Sequence, residues 1–471
     1  MRNPLLMRAA EHAADYLSTI DDRPVHATAD GDHLRARLAH ALDNMGVDPF
    51  EVIDNLAASG RDGTVATQGP RYFGFVVGGS IPAATAADWL VSAWDQNAGI
   101  YALSPLASVV EDIVAGWMRD FIGVTETWSV GFVTGGQMAN FTCLAAARHH
   151  VLRAAGWDVE RDGLFGAPPV DVIVSDESHY TIFTALRMLG FGAGRLRRIE
   201  TDGQGSMRVD RLEEALKDSS DPCIICAQAG NVNTGAFDPL ASIAALARAR
   251  GAWLHVDAAF GLWAVASPSL RHLVDGAERA DSIATDAHKW LNVPYDCGIA
   301  MTAHRESHRR ALMLPAHYIQ ETASERDPHE FTPEESRRAR AVPVYAALRV
   351  LGRAGLRHLV ERCCAHARRM AATLAAHPQV RVLNEVVLNQ VLVQCVSATG
   401  DASQADALTR QVIAAVQNDG TCWLGGTTWQ GKAAMRISVS NWSTTEADID
   451  RSASAILRLI PSGPTEGGRD A

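Results

Sequence analysis

Lysine is scarce in this chain of 471 residues: three of its 43 basic residues, Lys217, Lys289 and Lys432, are lysine, which leaves 40 arginines. A basic excess is also missing. The formal net charge is −11 with no block of basic residues, which argues against nucleic acid or an anionic membrane as the main partner. No run approaches the ~18 apolar residues of a membrane span. Arg8 and Glu11 interrupt the start too early for a signal core, so the expected location is cytoplasmic. Eight cysteines in so long a chain make no disulfide framework. No G-x-S-x-G supports a serine hydrolase. With 47% hydrophobic and 21% charged residues, the chain has globular composition.

The lysine shortage gives each survivor meaning. A chain this biased keeps lysine by chance or where guanidinium cannot act, and Schiff-base chemistry is such a place because arginine stays protonated. Lys217 ends the polar run Glu213–Asp218, and Lys432 follows Gln430-Gly431; both read as solvated surface. Lys289 sits instead in the largely apolar Thr285–Pro294, where a lysine must be paired or working.

Residues 1–75 read as helices with a loop, Leu34, Leu38 and Leu42 recurring at helical spacing before a turn-rich Gly60–Gly69. Helices are expected over Ala83–Trp94 and Ser108–Phe121. Apolar strands (Asp171–Ser175, Cys223–Ala227, Trp253–Asp257, Ser282–Thr285, Gly298–Thr302) then alternate with helices (Gln137–Ala155, Tyr180–Leu189, Val209–Lys217, Leu240–Arg250). This predicts an α/β domain with a mostly parallel sheet covered on both faces, and ligands at the carboxyl ends of its strands. A long helical stretch, Arg338–His377, leads to a smaller α/β unit with strands Val380–Leu383, Val391–Val396 and Met435–Val439 and helices Ala405–Asn418 and Thr445–Leu459. The expected division is an N-terminal segment (1–75), a large domain (76–335), a small domain (336–460) and a fraying Gly/Pro-rich tail (461–471).

Thr134–Asn140 follows the apolar Val130–Val133 and opens a helix with two glycines. That backbone can approach an anion closely and offer free N–H groups to a phosphate, or simply connect two elements. It is neither a P-loop nor a dinucleotide fingerprint. His255–Phe260 puts Asp257 where an apolar strand ends; the carboxylate needs a cationic partner such as a protonated ring nitrogen, or it caps a helix. His179, after another strand, either stacks on a flat cofactor or caps a helix. A phosphate cradle, a strand-end aspartate and an amine lysine are together the parts that hold pyridoxal phosphate. The C-x-x-C pair Cys223 and Cys226 lies in an apolar strand and reads as core rather than metal or redox site, and His149-His150 lack metal-ligand spacing.

The stretches His255–Phe260, Asp286–Gly298 (DAHKWLNVPYDCG), Thr134–Asn140, Ser175–His179, Gly230–Pro239 and Ser336–Arg340 resemble the pyridoxal-phosphate decarboxylases of aromatic amino acids and glutamate. The resemblance spans roughly residues 65–445. It implies the aspartate-aminotransferase type of fold (fold type I), with a seven-stranded, mostly parallel sheet and a small C-terminal α/β domain. It also implies a pyridoxal 5'-phosphate cofactor, decarboxylation of an L-amino acid whose side chain, aromatic or otherwise, stays open, and a homodimer with active sites at the subunit interface. Lys289 resembles the lysine that bonds the cofactor, Asp257 the partner of the pyridine nitrogen, and His179 the histidine stacked on the ring with Ala259 opposite. Gly136 and Gln137 match phosphate donors, and His288 the active-site histidine before the lysine. Ser336 matches a residue that reaches the phosphate of the other subunit.

Tyr318 resembles the loop tyrosine that protonates the carbanion after CO2 loss, which favours amine over aldehyde as product. Three positions depart from the pattern: Asp286 stands where many members have asparagine near the phosphate, Asn231 replaces a common threonine, and Gly99 stands where aromatic decarboxylases tend to carry bulk, which implies a pocket either wider or differently shaped. Oxidative deamination to aldehyde, or transamination, is the alternative outcome on the same scaffold. A retired enzyme serving as a binding protein is disfavoured by the retained Lys289, and a nicotinamide dehydrogenase by the absent fingerprint. Trp423 and Trp429, with Arg436, suit either a substrate entrance or core packing.

Overall fold

The computed structural model describes residues 3–42, 44–219, 222–313, 325–396 and 401–461. These fall into two compact units: residues up to 77 with 366–383 and those from 391 onward, and residues 78–365 with 384–390.

The first unit opens with helices α1 (Pro4–Ser18), α2 (Gly31–Leu38) and α3 (Pro49–Gly63). Each starts on a side chain that accepts a first-turn N–H: Asn3 from Leu5, Asp30 from His33 and Asp48 from Phe50. Proline in the first turn presets α1 and α3. Helix α2 stops at Leu38, so Leu42 lies beyond it. Helix α3 runs to Gly63, so only the second half of the expected turn region is turn.

The second unit begins with α4 (Pro82–Trp94) and α5 (Pro105–Ile122), then β1 (Ser129–Val133), α6 (Gly136–Ala154) and the one-turn α7 (Val159–Asp162). It continues through β2 (Asp171–Ser175), α8 (Tyr180–Met188), β3 (Arg197–Ile199), α9 (Val209–Lys217), β4 (Cys223–Gln228) and α10 (Leu240–Arg250). Then come β5 (Trp253–Asp257), β6 (Ser282–Asp286), β7 (Gly298–Thr302), α11 (Arg305–Leu312) and α12 (Ala341–Ala375), which breaks at Gly352 and carries the chain back to the first unit. The sheet is seven-stranded, in the order β1-β7-β6-β5-β4-β2-β3. Strand β7 is antiparallel to both β1 and β6, while β2, β3, β4, β5 and β6 pair in parallel. Strands β1, β4, β5, β6 and β7 are buried at every position, which is why they read as unbroken apolar runs. The expected α/β fold with a mostly parallel seven-stranded sheet is therefore observed.

The first unit then resumes with β8 (Val380–Val382), β9 (Gln390–Cys395), α13 (Ala402–Asp419), β10 (Gly425–Trp429), β11 (Lys432–Ser438) and α14 (Glu446–Arg458). Its sheet runs β10-β11-β9-β8. Trp429 pairs with Lys432 across Gln430 and Gly431, both at positive φ (47° and 77°), the two-residue turn whose twist suits a hairpin. Lys432 thus opens a strand, and it is exposed, as Lys217 is. All eight cysteines are buried, with Cys223 and Cys226 inside β4. Among the described residues, no helix is long and apolar enough to cross a membrane.

Candidate active site

Register assembles the site. Val133 at the end of β1 pairs with Gly298, and Gly298 with Asp286 at the end of β6. One strand further on, Asp257 at the end of β5 pairs with Ala284 and with Gln228 at the end of β4. Because β7 alone runs backwards, the carboxyl ends of β1, β6, β5 and β4 share one edge of the sheet, the edge where such folds bind ligands.

Lys289 lies in the turn after β6. Its Nζ is 2.9 Å from Asp286 Oδ2, while Asp286 itself is 1% exposed. Burial works against the lysine charge, but Asp286 and Asp257 outweigh it and raise the ammonium above its ordinary range. The turn is knit to β7: the amides of Ala287 and His288 donate to Cys297 O, and Cys297 N–H donates to His288 Nδ1 at 3.1 Å. Nδ1 is thereby an acceptor, so the His288 proton sits on Nε2, 3.5 Å from Asp286 Oδ1. Burial, only partly offset by Asp286, holds this imidazole below its usual value and hence neutral. Tyr295 stacks on it with centroids 4.4 Å apart. A methyl at Gly78 would fall 2.1 Å from Lys289 O, so a bare glycine backbone presses on the lysine turn. Neither Tyr295 nor Gly78 stood out in the sequence; the glycine pair at 78–79 was the one available signal.

The Gly135–Gln137 cradle stands beside this turn. Helix α6 starts with no side-chain cap on Gly135, which leaves its first N–H groups available. A Cβ on Gly136 would lie 2.5 Å from Asp286 Oδ2, and one on Gly298 would lie 2.4 Å from Gly135 C. Glycine is required at both positions by this close approach. Asp257 is 4% exposed and accepts from Asn140 Nδ2 (3.1 Å) and Ala259 N (3.2 Å). Burial pushes its carboxyl up, against the pull of Lys289, Asn140 and Ala259. Ala259 in turn accepts from the Asp286 amide at 2.9 Å.

The other expected residues are placed as follows. His179 occupies the position before α8 without capping it, its Nδ1 2.8 Å from Thr181 Oγ1. Asn231 shapes its own turn, accepting from the amides of Asn233 and Thr234, and its Nδ2 lies 3.5 Å from Glu177 O. Ser336 Oγ accepts from Asn97 Nδ2 at 3.4 Å and makes no hydrogen bond to Lys289 or Asp257. Tyr318 lies outside the described residues. Gly99 does not widen a pocket: a Cβ there would sit 2.3 Å from Glu335 O, so backbone fills the space a bulkier side chain would need. In the first unit, Trp429 is core at 3% exposure, while Trp423 stacks on Tyr72 at 5.1 Å and Arg436 lies 5.9 Å from the Phe75 ring.

These parts fit pyridoxal phosphate. An amine, an uncapped glycine-led helix start and a buried carboxylate with spare lone pairs line one sheet edge, and Asp286 Oδ1 is buried without a hydrogen-bond partner. Asp286 is the unusual member, an anion beside an anion cradle, with Lys289 as its counter-charge.

Comparison with known proteins agrees. The family model described as "Pyridoxal-dependent decarboxylase conserved domain" matches residues 34–396. An aromatic-L-amino-acid decarboxylase of Bacillus atrophaeus is 27% identical over 451 residues, covering 94% of this chain and 92% of that protein. An L-2,4-diaminobutyrate decarboxylase of Rhizobium meliloti (strain 1021) is 31% identical over 383 residues, covering 79% and 74%. The crystal structure of Oryza sativa TDC with PLP and tryptamine superposes with a TM-score of 0.90 at 23% identity, covering 97% of each chain, a likeness of fold. The chain belongs to the pyridoxal-dependent decarboxylase family and is a pyridoxal-phosphate-dependent amino-acid decarboxylase.

Proposed function

We propose that this decarboxylase acts on an aromatic L-amino acid, releases the amine, and works as a homodimer. The observation that carries the site assignment is the Lys289–Asp286 pair at 2.9 Å on the same sheet edge as Asp257. The near full-length match to an aromatic-L-amino-acid decarboxylase supports the aromatic substrate.

Pyridoxal phosphate, when bound, supplies the electron sink that accepts the pair left as CO2 departs. Lys289 would provide the amine that holds the cofactor aldehyde. The N–H groups of Gly136 and Gln137 would hold the phosphate, with Asn231 and Asp286 as further candidates to hold it. Asp257 keeps the proton on the ring nitrogen; a carboxylate made more basic by burial does this better than a solvated one. His179 and Ala259 would hold the two faces of the ring. His288, neutral with Nδ1 engaged by Cys297, offers Nε2–H as a donor. Tyr318 delivers the proton to Cα.

The dimer is supported by an apolar stripe on α4 and α5. Trp89, Leu90, Trp94, Leu106, Val109 and Ile113 are all exposed. Val91, Trp94, Leu106 and Ala107 of these helices, with Ala339 and Val342, line one cavity of about 260 Å³. A lone chain rarely leaves such a face to water.

A panel of L-amino acids tests the substrate: CO2 should come fastest from tryptophan, tyrosine or phenylalanine, and faster release from glutamate or 2,4-diaminobutyrate would overturn the aromatic reading. Tyr318→Phe should lose amine and release aldehyde and ammonia, whereas unaltered amine formation would remove this tyrosine from the mechanism. Sedimentation should give twice the 50.6 kDa of the chain.

A further inference from the structure

Asp257 ends a file of hydrogen bonds that crosses the core of the second unit. Trp253, His255 and Asp257 alternate along β5 and so share one face of the sheet. Helix α6 packs on β5 and supplies Asn140, one turn beyond Gly136. Trp253 Nε1 lies 2.9 Å from Ser282 Oγ, and Ser282 Oγ 2.9 Å from His255 Nδ1. His255 Nε2 lies 3.0 Å from Asn140 Oδ1, and Asn140 Nδ2 lies 3.1 Å from Asp257 Oδ2. Ser282 and His255 are fully buried and Asn140 nearly so.

The two ends impose a direction. An indole nitrogen only donates and a carboxylate only accepts. The Asn140 amide therefore turns its N–H toward Asp257 and its Oδ1 toward His255; His255 donates from Nε2 and, being neutral, accepts at Nδ1 from the Ser282 hydroxyl, which itself accepts the indole N–H. Burial pushes the His255 imidazole down to about 3, so it stays neutral, as a file of single donors requires. The second N–H of Asn140 points toward Thr181 Oγ1 at 3.5 Å, and that hydroxyl lies 2.8 Å from His179 Nδ1. One amide thus touches both the residue assigned to the ring nitrogen and the hydroxyl that holds the residue assigned to the ring face.

We propose that Asn140, oriented by His255 and Ser282, is the positioning residue of the cofactor ring, aiming Asp257 at the ring nitrogen and, through Thr181, His179 at the ring face. This rests on the assignment of Asp257 above. Asn140 touches no reacting atom and acts through Asp257.

Three measurements test it. In wild-type apoprotein, 1H–15N spectroscopy should find His255 as the neutral Nε2–H form between pH 5 and 8; an Nδ1–H form, or a titration near 6.5, would overturn the donor file. In the near-isosteric Asn140→Leu, the pyridoxal phosphate dissociation constant, read by absorbance titration, should rise roughly 10- to 100-fold, the worth of a hydrogen bond to a charged group. The pH profile of the visible band should move with it, which a merely structural loss would not cause. Ser282→Ala, two links from Asp257, should shift both readouts in the same direction by a few-fold and serves where Asn140→Leu folds poorly. Asp257→Ala separates the two layers. If it changes affinity and band while Asn140→Leu and Ser282→Ala match wild type, Asn140 has no such role although Asp257 keeps its own. If Asp257→Ala also matches wild type, the assignment of Asp257 falls, and with it the proposal.

Discussion

The second unit buries two ionic clusters with opposite charge balance. In one, Glu111 of α5 faces two cations, Arg337 at 2.7 Å and Arg326 at 3.7 Å. In the other, Lys289 faces two anions, Asp286 at 2.9 Å and Asp257 through its field. The arginines also spend donors on main chain: Arg337 on Ala98 O and Phe132 O, Arg326 on Val130 O. That cluster stitches β1 to its surroundings. The lysine ends on a single carboxylate, and its neighbours keep open lone pairs. A guanidinium fork tied at several points holds structure, whereas an amine tied at one point remains available to react.

The sharpest way to break the comparison is to remove each central charge. Lys289→Ala should abolish turnover and the visible band of the bound cofactor, and because it leaves Asp286 buried without its counter-charge it should also lower the stability of the apoprotein; residual turnover with the band intact would show that the amine lies elsewhere. Glu111→Gln should spare the chemistry. It strands two buried arginines and should cost about 3–5 kcal/mol in denaturant unfolding, with turnover per folded molecule retained. Asp286→Asn comes next. Without that carboxylate the burial of Lys289 is less opposed, its ammonium loses protons more readily, and the pH at which apoprotein captures pyridoxal phosphate should move down; an upward shift would contradict the ion pair as drawn.

The smallest effect is expected beside the arginine cluster. His308 is fully buried, Nδ1 2.9 Å from Ser129 Oγ, and burial with Arg326 and Arg305 pushes its imidazole down to about 3. The unfolded chain takes up this proton near 6.5, so stability is complete above that pH and declines as pH falls toward 3, by up to about 1.4 kcal/mol per pH unit. His308→Gln should lose that slope, so its unfolding free energy should fall less steeply between pH 7 and 5 than the wild-type value.

Much of the fold was legible because both sheet faces are covered: β4 and β5 read as unbroken apolar runs between helices. Strands that escaped notice lack that signature. Strand β3 is Arg-Arg-Ile at a sheet edge, and β10 begins with two glycines and becomes a strand through its hairpin with β11. The reversed direction of β7 has no local signal at all, since an apolar strand reads the same either way. Lys289 was conspicuous through the scarcity of its kind and Asp257 through a charge ending an apolar strand. Asn140 and His255 were not, because uncharged polar residues in apolar runs look like tolerated core until their partners, 115 and 117 positions away, are known. At Gly99 the missing side chain left room or a change of shape open, and the backbone of Glu335 takes the room.

Composition, periodicity and a few side chains were enough to determine the α/β class and the cofactor and to single out the lysine proposed to hold it, because these depend on local chemistry that each residue carries with it. Tertiary structure alone decided which carboxylate the lysine meets, which strand runs backwards to align the site, and which way each buried proton points. Those depend on register and on contacts between distant segments, and no residue contains that information by itself.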